Sequence, residues 1–418
     1  MLSAASISAQ TGTWSGLLKI QNSSLLLVFN LTEGTEATMD VPDQNASDIG
    51  ATVAREGFSL KITVPAINAV FDGMWTGKLI TGTFTQNGMG FPLTLNPGMP
   101  KLNRPQTPIG PFPYATEDVS FTNGDATLRG TLTLPENCDR NTPVLIMITG
   151  SGLQNRDEEI YGHKPFAVIA DALARNGIAT LRYDDRGFAE STGDLMNATV
   201  DDFKNDALSG IAMLRGRFAR VGVLGHSEGG AFALMIAAEG KADFIVSLAG
   251  LVVSMRETLL WQNRDMLLKA GLPESQTSEY VRLLDAAFEA ICSGTVPPSA
   301  EGYDIPEGLK ANYEMVLAQL ASPYMKSSLA MDPRLILDKI SCPVLALNGT
   351  KDIQVDCETN LGALEKGIKS GLRSERVAGV NHLFQHCKTG DTSEYKTIEE
   401  TFSVEVLQMI ADWINNIF

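Results

Sequence analysis

Between about residue 12 and residue 97 the chain alternates short apolar runs with Gly, Asn and Asp. The runs Trp14–Ile20, Leu25–Leu31, Ala37–Val41, Ser59–Val64, Ala69–Trp75, Leu79–Thr85 and Phe91–Leu95 carry β-branched and aromatic residues between turn formers, which predicts strand after strand. In Lys61-Ile-Thr-Val64 polar and apolar side chains alternate, as a half-buried antiparallel sheet requires. Residues 1–100 are thus expected to form a small N-terminal all-β domain. Six prolines then fall within seventeen residues, Pro97 to Pro113. Their fixed φ and missing N–H disfavour both helix and central strand, so residues 101–117 read as a Pro-rich linker.

From residue 118 the period changes. Val119–Thr122 and Thr127–Leu134 flank the turn Asn123-Gly124-Asp125 and read as a hairpin. Strands follow at Val144–Ile148, Ala179–Tyr183, Val221–Leu224, Phe244–Leu248, Val344–Leu347 and Ser374–Val377, most of them largely apolar, separated by helical patterns at Phe166–Asn176, Val200–Arg217 and Gly230–Glu239. Strands joined by helices of this length pair in parallel through right-handed crossovers, and runs that are apolar throughout are covered on both faces. Residues 118–418 are expected to be an α/β unit with a doubly wound, mostly parallel sheet. The interval 252–335 breaks the rhythm with Met- and Leu-rich helical segments and a Pro/Gly-rich loop at Gly294–Gly308. An insertion there sits above the carboxyl ends of the strands and is read as a helical cap.

Composition narrows the function classes. The net charge of −16 and the lack of any Lys/Arg run argue against binding a phosphate backbone. No stretch approaches the ~20 apolar residues of a membrane-spanning helix. Met1-Leu-Ser-Ala-Ala-Ser-Ile-Ser-Ala-Gln10 has the small-residue texture of a signal-peptide cleavage region, without a charged leader or a long apolar core. It reads as the remnant of an export signal and points to a periplasmic or secreted protein, with the cytoplasm as the alternative. Five scattered cysteines (Cys138, Cys292, Cys342, Cys357, Cys387) without a CxxC pair support neither a disulfide framework nor a zinc site. They are read as free thiols, Cys357 and Cys387 being the pair an oxidising compartment could bridge.

The chemistry centres on Val221-Gly-Val-Leu-Gly-His-Ser227-Glu-Gly-Gly-Ala231. GxSxG directly after a buried strand and before a helix is a strand-to-helix elbow whose glycines admit a turn too tight for side chains, lifting Ser227 clear of the sheet. The alternative is a Gly-rich turn that serves packing alone. A serine hydroxyl needs a base to take its proton and a carboxylate to orient that base. Of four histidines, His226 lies inside the elbow and His163 precedes the first crossover helix. His382, in the loop after the last strand, is the expected base, with His386 as its rival. Asp352, just past the strand Val344–Asn348, is the expected acid; Asp356 instead reads as the opening residue of the next helix. The order Ser, acid, His is that of this fold. Oxyanion donors are expected at the backbone N–H of Glu228 and, from the glycine-rich turn Thr149-Gly-Ser-Gly152, at Ser151 or Gly152. The Glu228 carboxylate is expected to pair locally. Of the charged clusters Asn155–Glu159 and Tyr183–Gly187, structural pairing is expected, such as Arg186 with an acid of the first cluster.

Taken together, Gly150-Ser-Gly-Leu-Gln-Asn-Arg-Asp-Glu158, Asp185-Arg-Gly187, Gly225-His-Ser-Glu-Gly-Gly230, Gly349-Thr-Lys-Asp352 and Asn381-His-Leu-Phe-Gln385 resemble bacterial α/β-hydrolase esterases. These are relatives of the serine-aminopeptidase-like hydrolases that carry an N-terminal β domain. The resemblance covers residues 119–418 by motif and the N-terminal part by layout alone. It implies an α/β-hydrolase fold, Ser227 as nucleophile, Asp352 as acid, His382 as base, carboxylesterase activity on short acyl chains, and no metal or cofactor. Gly187-Phe-Ala-Glu-Ser191 departs from relatives that often carry a second glycine before the serine, which leaves that loop's shape open. The sequence thus predicts a serine carboxylesterase acting on a small-molecule ester. A serine peptidase using the same triad is one alternative; a non-catalytic glycan- or envelope-binding protein on a hydrolase scaffold is the other.

Overall fold

In a computed structural model that describes residues 10–20, 23–44, 46–99 and 102–418, the chain divides into two compact units at Asn103/Arg104. The leader-like segment lies outside the described residues apart from Gln10.

The first unit is a closed antiparallel barrel of eight consecutive strands: β1 (Gly12–Ile20), β2 (Ser23–Leu31), β3 (Glu36–Val41), β4 (Ala46–Glu56), β5 (Ser59–Val64), β6 (Ala69–Trp75), β7 (Ile80–Gln86) and β8 (Met89–Pro97). Trp14 opposite Pro97 and Ser15 opposite Asn96 close it. β4 is the strand that sequence reading misses. Its alternation is diluted by Asp48 and Gly50, and only Ala51 and Val53 point fully inward. The β7–β8 turn is Asn87-Gly88 with φ of 50° and 80°, the positive pair that a tight hairpin needs. Phe29, Met39, Ile62, Phe71 and Leu95 fill the interior, so the barrel encloses a packed core, as eight strands allow.

The second unit carries an eight-stranded sheet in the order β16-β15-β14-β13-β11-β12-β10-β9. The hairpin β9 (Ala115–Asn123) and β10 (Ala126–Leu134) is antiparallel, and β10 joins β12 (Ala179–Tyr183) antiparallel. The remaining strands, β11 (Val144–Ile148), β13 (Val221–His226), β14 (Ile245–Leu248), β15 (Val344–Gly349) and β16 (Leu372–Val377), pair in parallel. This is the doubly wound, mostly parallel sheet expected.

Side-chain alternation splits β11 between two cores. Val144, Ile146 and Ile148 pack with helices α2 (Val200–Arg215) and α3 (Glu228–Ala238), while Leu145 and Met147 pack on the other face with α1 (Pro165–Arg175). Between β14 and β15 the chain inserts α4 (Met255–Lys269), α5 (Glu274–Ser293), α6 (Glu307–Leu320) and α7 (Pro323–Leu329). These helices have a small core of their own around Tyr280, Phe288, Tyr313 and Leu329. Helices α8 (Cys357–Gly367) and α9 (Val404–Ile417) complete the two layers.

The proline-rich passage belongs in part to this unit. The Arg104 guanidinium donates to the carbonyls of Tyr161, Lys396 and Ile398 at 2.8–3.1 Å, and Gln106 Nε2 donates to Phe402 O at 2.7 Å. All five cysteines are free thiols. No helix among the described residues is long and apolar enough to cross a membrane.

Candidate active site

Ser227 stands between β13 and α3 with φ 53° and ψ −118°, a strained conformation for a residue with a Cβ. The turn is held from both sides: Ser227 N donates to Leu248 O at 2.9 Å, and Ser227 O accepts from Gly230 N and Leu251 N at 2.9 and 3.0 Å. Two glycines make the approach possible. A Cβ on Gly225 would lie 2.0 Å from Gly229 O, and one on Gly229 would lie 2.3 Å from Ile148 O. The elbow therefore packs backbone against backbone around the half-buried serine.

Asp352 and His382 come from the loops after β15 and β16, which are neighbours in the sheet. The His382 Nδ1–H donates to Asp352 Oδ2 at 2.7 Å, while Asp352 Oδ1 accepts the N–H groups of Gln354 and Val355 at 2.8 and 2.9 Å. Both side chains are buried. The carboxylate is thus fixed by the backbone, and the ring is fixed by the carboxylate, leaving Nε2 as the free nitrogen. His382 and Ser227 line one cleft of about 350 Å³, with no hydrogen bond between Oγ and Nε2. In unliganded hydrolytic sites this contact commonly tightens only with substrate. Asp356, the rival acid, caps α8 by accepting Thr359 N at 2.8 Å. His386 is half exposed and faces Glu400 at 2.9 Å. His163 is buried between Thr401 Oγ1 and Tyr395 O, and burial pushes it down to about 4, which keeps it neutral.

Around this centre lie contacts that the sequence did not announce. Glu158 Oε1 accepts the Gly150 N–H at 2.7 Å and lies 2.9 Å from His226 Nδ1, and His226 Nε2 faces the His382 carbonyl at 3.0 Å. Gly150 N is thereby occupied. Ser151 lines the Ser227 cleft, whereas Gly152 lines a neighbouring cavity. The N–H of Glu228 opens α3 and has no carbonyl four residues back within the helix.

Two expectations about side chains are corrected. Glu228 does not pair locally: it is 1% exposed and accepts the Tyr324 hydroxyl at 2.6 Å and the Ser328 hydroxyl at 2.9 Å, both from α7. The inserted helices bring those hydroxyls over the start of α3, about a hundred residues away in sequence. Arg186 does not reach the first charged cluster either. It forms a buried two-pronged bridge to Asp206 on α2 at 2.8 Å for both bonds, and it is Arg156 that crosses to Asp184 at 2.6 Å. Asp185 between them is buried and accepts Thr149 Oγ1 at 3.0 Å and Gln154 N at 2.7 Å. Desolvation outweighs those hydrogen bonds and pushes its carboxyl up to about 8.

Residues 163–267 match the family described as serine aminopeptidase, S33. Esterase EstD of Thermotoga maritima is 30% identical over 278 residues, covering 66% of this chain and 61% of EstD. An acyl transferase of Photobacterium leiognathi is 30% identical over 131 residues, covering 30% of this chain and 40% of that protein. The chain therefore spans less than two thirds of either relative. Among solved structures, an esterase of Pyrococcus furiosus is 15% identical, covers 76% of this chain with 99% of its own, and gives a TM-score of 0.47. The unit spanning residues 104–418 has the α/β-hydrolase fold and, over residues 163–267, is similar to the serine aminopeptidases of family S33.

Proposed function

We propose that the chain is a serine carboxylesterase that passes through an acyl-enzyme on Ser227. The observation that carries this reading is the 2.7 Å Asp352–His382 pair opening onto the same cleft as a serine held in a strained elbow. His382 Nε2 takes the Ser227 proton as Oγ attacks the ester carbonyl, and Asp352 stabilises the imidazolium that results. The tetrahedral oxyanion meets the N–H groups of Glu228 and Ser151. His382 then gives its proton to the departing alcohol, and water activated by the same ring releases the acid. Esterase EstD supports this assignment to ester hydrolysis, and the family match supports a serine hydrolase.

The family description also favours a second reading, an aminopeptidase. Such an enzyme must hold a substrate ammonium group, and the carboxylate on the cleft wall, Glu158, is committed to Gly150 and His226. That favours the ester. With p-nitrophenyl acetate, Ser227→Ala is expected to lower kcat by at least about 10³-fold. Near-normal turnover by that variant would overturn the assignment. Aminoacyl p-nitroanilides run in parallel should be cleaved far more slowly than the ester; the reverse order would select the peptidase.

A further inference from the structure

A second cavity lies beside the Ser227 cleft. It measures about 210 Å³ and is walled by Tyr183, Leu195, Ala198, Phe203, Phe232 and Tyr324 together with the start of the glycine-rich turn. Gly150 lines both spaces, and a Cβ placed on it would come within 3.2 Å of Ser227 Cβ. The cavity thus begins one residue from the proposed nucleophile. Phe232 follows Glu228 by one turn of α3, so one wall of the cavity belongs to the helix that the Glu228 N–H opens.

We propose that this cavity receives the acyl group of the substrate, and that the preferred acyl group is an uncharged hydrocarbon of intermediate size: a phenyl ring or a chain of about six carbons. The proposal rests on Ser227 being the nucleophile. Protonation of the leaving oxygen requires the alcohol to face His382, which is on the wall of the other space. The acyl carbon must then extend away from His382, toward Gly150 and the cavity behind it.

The walls select for hydrocarbon. Two of the polar side chains on them are already engaged: the Tyr324 hydroxyl with Glu228, and Asp185 with Thr149 and Gln154. A charged acyl group would lose its hydration with no charged partner left to replace it. The size limit follows from the volume, since about 210 Å³ exceeds the ~150 Å³ that holds a benzene ring and leaves no room for a fatty-acid chain. The boundary is stiff. Phe203 meets Tyr324 edge-on at 5.1 Å, Tyr324 is held by Glu228, and the loop carrying Asp185 is pinned by the Arg186–Asp206 bridge.

The test uses the full chain with p-nitrophenyl acetate, hexanoate, benzoate and palmitate. Hexanoate and benzoate should exceed both acetate and palmitate in kcat/KM. Ala198→Phe, which fills the cavity, should lower the hexanoate-to-acetate ratio of kcat/KM at least fivefold; a smaller change overturns the proposal. Should that variant fail to fold, Phe203→Ala enlarges the same space and should raise the ratio for octanoate over hexanoate at least fivefold, with a smaller rise again overturning it. Fluorophosphonate labelling of Ser227 in each soluble variant separates the two claims. A labelled protein whose acyl ratios do not move refutes the cavity assignment alone, whereas an unsubstituted chain that does not label refutes the nucleophile and the cavity together.

Discussion

Glu158 and His226 form a buried pair at 2.9 Å on the wall of the cleft that also holds Ser227, and link the loop of Gly150 to the loop of His382. Through Gly150 N the pair holds the glycine-rich turn, and through the His382 carbonyl it holds the loop of the candidate base. Burial works against a charged His226, but the Glu158 charge and hydrogen bond, the His382 carbonyl and the nearby Asp352 outweigh it and raise the pKa. In its charged form the ring donates from both nitrogens, to Glu158 and to the His382 carbonyl. Neither residue touches the reacting atoms on this account; they position those that do.

Glu158→Gln is therefore expected to lower kcat by about 10- to 100-fold with little change in KM, because donors to the transition state are misplaced while the cleft remains. Steady-state kinetics on a short-chain ester checks this. The same variant reports on His226 through stability. A folded pKa raised above 6.5 means that the contribution is present in full below that pH and is lost as pH rises through the folded value. The melting temperature of Glu158→Gln should consequently vary less with pH above about 6.5 than that of the unsubstituted chain.

Asp185 gives a second pH signature. Its carboxyl is pushed from 3.8 up to about 8 by burial, so between those values the folded chain holds a proton that the unfolded chain has lost. Stability from this group falls as pH rises through that window. Asp185→Asn, which keeps an acceptor for Gln154 and Thr149, should flatten the decline and be relatively more stable at pH 8 than at pH 5. Thermal melts across that range decide it, and parallel curves for the two proteins would count against the assignment.

Tyr324 and Ser328 share one buried carboxylate, that of Glu228. Removing either hydroxyl leaves the other bond in place, so Tyr324→Phe and Ser328→Ala should each cost about 1–3 kcal/mol in urea unfolding. The double variant should depart from additivity by more than about 0.5 kcal/mol, since both donors act on the same group. Strict additivity would show that the carboxylate does not couple them.

Gly225→Ala should be far more damaging than a typical surface change. The new methyl group would lie 2.0 Å from the Gly229 carbonyl, so the elbow cannot close around it. Loss of soluble, folded protein is the expected outcome, measured by expression and circular dichroism.

Much of this fold is legible along the chain because its signals are local. The run Val144–Ile148 is apolar throughout since both faces of the sheet are covered, Ala179–Tyr183 is interrupted only by Thr180 and Arg182, and the observed strands match both. Ser227 announces itself through glycines that a tight elbow requires, while Asp352 and His382 follow directly on strands that the pattern marks. The strands of the first unit are legible except for β4, where inward and outward positions lose their contrast, whereas their closure into a barrel through Trp14 and Pro97 is not. What stayed hidden depends on contacts distant in sequence. Nothing beside Glu228 says that Tyr324 and Ser328 will meet it, and nothing near Arg186 says that its partner is Asp206 rather than an acid of the Asn155–Glu159 cluster. That Ser151 lines one space and Gly152 another is likewise visible only once the turn is folded.

The central claim is that Ser227 is a nucleophile activated by the Asp352–His382 pair. Incubating the chain with a fluorophosphonate probe and mapping the adduct by peptide mass spectrometry tests it most directly. The account predicts a single adduct on Ser227 that forms at least about 10²-fold more slowly in His382→Ala. An adduct on another residue, or undiminished labelling without His382, would contradict it.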